Sequence, residues 1–257
     1  MNEFRNRHTG EKVVLIGNGP SLAETNLDLI QEKNIPSIAM NRINLIFPKT
    51  RWRPTYYLFA SSNIFHPLWG EEWKSSINYM IETGIPVFLR DEYKDIFPKK
   101  DNIYYFKAKD FIDIWKRKMA IRKIYEAINL FAPSIHVPEI NMPEKVFSKD
   151  PDRYLSKFST SMLIAYQLAY YMDFSKILLV GCDVNWKKSV DKKGADPNHF
   201  SKNYGASLPF GNLDSELVLL GHSIAKKEFE EKDVEIINCS VESQLTIFKR
   251  SSLCDCI

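Results

Sequence analysis

Lys12-Val-Val-Leu-Ile-Gly-Asn-Gly-Pro-Ser21 decides the fold. Its apolar start is a short buried strand, and Gly17-Asn18-Gly19 is a tight turn. Leu22 and the helix-compatible stretch from Ala23 to Lys33 follow, so the segment reads strand, turn, helix. The glycines let backbone approach a ligand closely. A helix opening after such a turn offers unpaired N–H groups and the positive end of its dipole to a phosphate.

The same rhythm continues outward from this segment. Ile35 to Met40, Thr55 to Ala60, Ile85 to Leu89 and Asn102 to Phe106 read as further strands, with a helix around Trp69 to Glu82. Ser161 to Met172 carries an apolar surface broad enough to be mostly buried, with Ser159, Thr160 and Ser161 supplying N-cap chemistry. Lys176-Ile-Leu-Leu-Val-Gly181 has the continuous apolar character of a strand buried on both faces. A last helix from about Asp214 to Lys232 precedes a strand at Val234 to Asn238. Strands alternating with helices predict an α/β, Rossmann-like fold: a mainly parallel sheet with helices on both faces. One domain is expected over 1–257, with a helical insertion at 107–150 and a polar, glycine- and proline-bearing lid at 187–213.

A formal net charge of +3, with basic and acidic residues interspersed, argues against nucleic acid as a partner. The four cysteines have neither zinc-ligand spacing nor a disulfide framework, which suits a reducing, cytoplasmic setting. No apolar run approaches the length of a membrane span and the N-terminal residues lack a signal-peptide core, so membrane contact would be peripheral. The last four residues, Cys254 to Ile257, read as a frayed tail. A homo-oligomer is left open.

Strand ends in an open α/β sheet converge on one crevice. Here they finish in Gly17-Asn18-Gly19, Asn41, Ser61-Ser62-Asn63 and Gly181-Cys182-Asp183. Asn18 and Asn41 can both donate and accept, which suits a base or a ribose. Asp183 could orient a ligand hydroxyl or serve as a turn aspartate. In the lid, Asp196-Pro-Asn-His199-Phe200 and Tyr204 offer a proton acceptor near neutral pH and a hydroxyl for a departing phosphate. His222, in Gly221-His222-Ser223 of the last helix, competes for the same role and could equally be a core residue. Carboxylates without a pair make no metal site, and no serine or cysteine sits in an activating arrangement.

Gly17-Asn-Gly-Pro20-Ser21-Leu22, Asn41, Thr160-Ser161 and Ile177-Leu-Leu-Val-Gly181-Cys-Asp183 resemble, in that order, the bacterial sialyltransferases of glycosyltransferase family 42. They also resemble a broader group similar to 6-hydroxymethylpterin pyrophosphokinase and found near surface-glycan genes. The resemblance covers the first 65 residues and 155–250. It implies a nucleotide-sugar-binding fold, a variant of the GT-A type, that holds a CMP-sugar donor and transfers the sugar to a glycan acceptor with inversion and no required cofactor. Asn18, Gly19, Asn41 and Ser161 would then contact the CMP, with Gly17, Ser62, Asn63, Thr160 and Gly181 around them. The family places its general base in a Gly-His-Ser segment, matching His222; on physical grounds the lid residue His199 ranks first. Where the sialyltransferases have a phosphate-binding tyrosine, this chain has Asn185-Trp186, and Phe158 stands for their arginine with Lys157 adjacent. The broader group keeps pyrophosphoryl transfer, which needs Mg²⁺ on carboxylates, and a non-catalytic nucleotide-binding module as alternatives.

Overall fold

The computed structural model describes residues 1–129, 146–158, 160–185, 197–205 and 212–257; at 115, 129 and 212–215 only the backbone is described. Among these residues eight strands form one sheet: β1 (Lys12–Ile16), β2 (Ser37–Met40), β3 (Tyr56–Phe59), β4 (Val87–Arg90), β5 (Ile103–Phe106), β8 (Lys176–Val180), β9 (Glu235–Asn238) and β10 (Lys249–Arg250). Every neighbouring pair is parallel, in the order β10-β9-β8-β1-β2-β3-β4-β5. The chain walks outward from β1 to β5, returns to lay β8 against β1, and walks outward the other way to β10. The strand order therefore reverses between β1 and β8, where an open α/β sheet splays its loops apart and leaves a crevice.

Alternation along the strands divides the core in two. Val13, Leu15, Ile177 and Leu179 face one way and pack with α4 (Ser161–Tyr171) and α5 (Asn212–Glu230). Val14, Ile16, Leu178 and Val180 face the other, toward α1 (Asp28–Glu32), α2 (Gly70–Glu82) and α6 (Leu253–Cys256). With both faces covered, the sheet is the expected Rossmann-like α/β architecture. Nine of the eleven residues of α4 are buried, so this helix is held by packing all round. Thr160 caps it, its hydroxyl accepting from the Met162 N–H at 3.1 Å; Ser159 lies outside the described residues.

Three local expectations are corrected. Ala23 to Lys33 is not one helix: Pro20–Glu24 is a short 3-10 turn, the chain extends at Thr25, and α1 begins at Asp28. Thr25 donates to the Ser21 carbonyl and Asn26 accepts from the Asp28 N–H, so side chains take backbone partners that a continuous helix would need. Residues 253–256 are not frayed: Ser252 caps α6, Leu253 is buried, and Lys12 donates to the Cys256 carbonyl. Third, the segment 107–150 is not wholly helical. It contains β6 (Ala108–Asp110), which pairs in parallel with β7 (Leu155–Lys157), and then α3 (Ile112–Asn129). Residues 130–145 lie outside the described residues. The buried amide of Gln167 fixes β7 by accepting from the Ser148 and Ser156 N–H groups and donating to the Ser156 and Leu163 carbonyls.

Of the stretch expected as a lid, 187–196 and 206–211 lie outside the described residues, and α5 starts at Asn212. The portion 197–205 packs onto the body. The Phe200 N–H donates to the Asn18 carbonyl, and the Trp73 indole N–H to the Gly205 carbonyl. Among the described residues no helix is long and apolar enough to cross a membrane.

Candidate functional site

The corners at Gly17, Asn41, Ser61 and Gly181 meet around one cavity of about 270 Å³ at the β1/β8 switch point. Gly17, Asn18, Gly19, Pro20, Asn41, Asn63, Thr160, Ser161, Gly181, Asp183, Asn185, His199, Tyr204 and His222 all line it. Two expected residues do not. Ser21 lies behind Asp183, and Ser62 is exposed on a 3-10 turn while Ser61 takes its place on the wall. Met40, Trp73, Met162, Val184 and Val218 line the cavity without having been singled out from the sequence for it.

The floor is two glycine loops in contact. Gly17 N–H donates to the Val180 carbonyl and Gly19 N–H to the Gly181 carbonyl, at 2.8 and 2.9 Å. A Cβ on Gly17 would sit 2.4 Å from the Gly181 oxygen, which accounts for a glycine there. Beneath them the Asp183 carboxylate accepts from both the N–H and the hydroxyl of Ser21. Burial holds the Asp183 carboxyl above the usual carboxylate range, and the Ser21 bonds pull it partly back. This wiring occupies several of the N–H groups of the expected phosphate cradle. Pro20 has no N–H, the Ser21 N–H goes to Asp183, the Leu22 N–H goes to the Gly19 carbonyl, and the following turn is too short to present a helix dipole.

Two amide oxygens on the wall lack a donor among the described residues. Asn18 donates through Nδ2 to the Met40 carbonyl at 3.2 Å, which fixes the amide's orientation and leaves its buried Oδ1 without a donor. Asn41 adopts φ 58, a left-handed conformation that asparagine tolerates, and its carbonyl accepts from the Tyr57 hydroxyl at 2.6 Å. Its Oδ1 is likewise buried and unpartnered. Each such oxygen costs on the order of 1–3 kcal/mol until a donor reaches it. Val184, also on the wall, has φ 50, a strained conformation for a β-branched residue. Ser243, which donates to the Cys182 and Asp183 carbonyls, and the Gln244 N–H, which donates to Asp183, hold the loop there.

Among the described residues that line the cavity the cation is Lys157, the last residue of β7. Burial holds its ammonium below the ordinary lysine range, and the nearby Arg90 guanidinium pushes the same way. The Asp110 and Glu92 carboxylates push the other way, and the ammonium has no hydrogen bond or ion pair with any described residue. The capped N-terminus of α4 stands beside it on the wall.

The two histidines differ in setting. His222 is fully buried; its Nδ1 lies 2.9 Å from the Tyr166 hydroxyl, and burial pulls its pKa down to about 3. It is therefore a neutral imidazole at physiological pH. His199 is half-buried and stacks on Tyr204, ring centroids 3.9 Å apart and 5° from parallel. Tyr204 in turn meets Trp73 edge-on. The buried Arg42 ties this wall down, donating to the Asn203 and Tyr204 carbonyls at 3.0 and 2.7 Å and pairing with Glu72 on α2. The Cys182 thiol is buried and its pKa raised by burial, the wrong state for a nucleophile.

Fold and cleft together define a Rossmann-like α/β protein with a cavity at its switch point. No protein-family model matches the chain, and no curated protein does either. Among solved structures, the MAf glycosyltransferase from Magnetospirillum magneticum AMB-1 is similar at 12% identity and a TM-score of 0.49, over 96% of this chain. This chain spans only 35% of that protein. A mammalian sialyltransferase solved with Gal-beta-1-3GalNAc-ortho-nitrophenol is similar at 8% identity and a TM-score of 0.39, over 91% of this chain and 70% of its own. Likeness at this level transfers no residue's role to the present chain.

Proposed function

We propose that this chain is a glycosyltransferase that takes a sugar from a nucleotide-linked donor of the CMP-sugar type and passes it to a glycan hydroxyl. The observation that carries the reading is one cleft holding a cation, Lys157, and two amide oxygens, of Asn18 and Asn41, none of which has a hydrogen-bond or ion-pair partner among the described residues. A nucleoside phosphate answers both demands. Its phosphate meets Lys157, and its ribose hydroxyls or an exocyclic amine satisfy the amide oxygens after a small rotation of each side chain. In this reading no cofactor is required, because the donor carries its own leaving group. Among the described residues no three His, Cys, Asp or Glu side chains gather to hold a metal. Asp191 and Asp196, on which pyrophosphoryl transfer would call, lie outside the described residues.

The step is a direct displacement. The acceptor oxygen forms a bond to the anomeric carbon as the bond from that carbon to the phosphate oxygen breaks, with inversion. His199 takes the acceptor proton, and CMP leaves toward Lys157 and the Tyr204 hydroxyl. His222 is the weaker choice of base because an imidazole with a pKa near 3 has little appetite for a proton at neutral pH. We assign it to holding the deep end of the cleft through Tyr166.

His199→Ala is expected to lower turnover of a CMP-sugar at least about a hundredfold, the usual share of a general base, and to leave CMP affinity nearly unchanged. Unchanged turnover would remove His199 from the chemistry. CMP binding with no transfer by the unaltered chain would favour the non-catalytic module, and turnover of ATP with Mg²⁺ and a pterin alcohol would favour the pyrophosphokinase.

A further inference from the structure

Helix α3 carries surface that the rest of the molecule leaves uncovered. Among the described residues nine large hydrophobic side chains are exposed, and five of them, Ile114, Ile121, Ile124, Tyr125 and Ile128, lie on this one helix. Their spacings of three, four and seven residues gather them into one stripe. Ile112 and Met119 pack against the core and anchor the first half of the helix. From Ala120 to Ile128 every residue is exposed, so the second half projects with no face buried. Such a helix gains its stability from a partner rather than from its own hydrogen bonds.

The charge on the helix says which partner. Lys116, Arg117, Lys118, Arg122 and Lys123 stand against Asp113 and Glu126, and Arg122 is already paired with Glu126 at 2.7 Å. Two copies meeting through this stripe would bring like cations together. A surface of phosphate headgroups complements them instead, with the isoleucines entering the acyl boundary and the long basic side chains reaching back to the phosphates. We propose that α3 lies in the plane of an anionic bilayer and docks the chain on it.

The test is co-sedimentation of the full chain with vesicles of phosphatidylcholine alone and of phosphatidylcholine mixed about equally with phosphatidylglycerol. Binding to the mixed vesicles should exceed binding to neutral ones at least about tenfold and fall as salt is raised. The combined Ile121→Ser, Ile124→Ser and Ile128→Ser variant, checked for an unchanged thermal melt, should lose it. Lys116→Glu with Arg117→Glu and Lys123→Glu should lose it too, with the stripe intact. Equal binding to both vesicle types, no binding at all, or binding kept by either variant would overturn the proposal. So would a dimer in analytical ultracentrifugation that the serine variant dissolves, which would make the occupant a second copy.

Discussion

His222 makes stability depend on pH in a way that the structure quantifies. Its pKa moves from an ordinary 6.5 to about 3 on folding, because burial disfavours the imidazolium. A depressed folded-state pKa means that the unfolded chain takes up the proton more readily. The stabilisation is therefore complete above the unfolded pKa and drains away as pH falls below 6.5 toward 3. At 1.36 kcal/mol per unit the full effect is about 5 kcal/mol, and between pH 7 and pH 5 about 2 kcal/mol of it is lost. That is a sizeable fraction of what holds a domain together. His222→Gln keeps an acceptor near the Tyr166 hydroxyl and removes the titration. Urea unfolding at both pH values gives the slope of stability for each protein, whatever the variant's absolute stability. The unaltered chain should lose about 2 kcal/mol more than the variant over that interval. Parallel loss in the two proteins would refute the buried neutral imidazole, and with it the reason for preferring His199 as base.

Three further outcomes follow from the site. Gly17→Ala drives a methyl into the Gly181 carbonyl and should cost about 1–3 kcal/mol in urea unfolding, because neither backbone can yield without opening β1 from β8. Asp183 holds its proton better folded than unfolded, so its ionisation erodes stability as pH rises from 3.8 through its raised pKa. Asp183→Asn should flatten that part of the profile and be tolerated, whereas Asp183→Ala leaves the buried Ser21 N–H unpaired and should cost about 1–3 kcal/mol by chemical denaturation. Lys157→Met removes a half-buried cation with no hydrogen-bond or ion-pair partner among the described residues. It should raise stability by about 1 kcal/mol while weakening CMP at least about tenfold in a calorimetric titration, a trade expected of a group kept for binding.

Much of the frame was legible in the chain. Val13 to Ile16 and Ile177 to Val180 are apolar without interruption because both faces of their strands are covered, and that pattern placed the two strands flanking the crevice. The loops after them were readable because glycine and asparagine answer backbone demands that are local. What was not readable depends on distant partners. The break after Glu24 comes from Thr25 and Asn26 bonding to nearby backbone, where propensity alone allows a helix. β7 exists because Gln167, buried in α4, reaches across to Ser148 and Ser156. Lys157 was noted only as the neighbour of Phe158, since a lysine becomes a cleft cation only when the fold withdraws it from water. Nothing local marks Arg42 in the sequence, yet its guanidinium holds the wall carrying Tyr204 and His199.

A calorimetric titration of CMP into the unaltered chain, and into one carrying Asn41→Gly with Lys157→Met, probes the assignment of the cleft most directly. Glycine keeps the left-handed backbone at position 41, so the pair of changes strips recognition groups without straining the loop. Saturable one-to-one binding by the unaltered chain, reduced at least about a hundredfold in the altered one, is the expected result. Equal affinity in both would place the nucleotide elsewhere, and heat from neither would mean that the crevice between β1 and β8 serves a different kind of molecule.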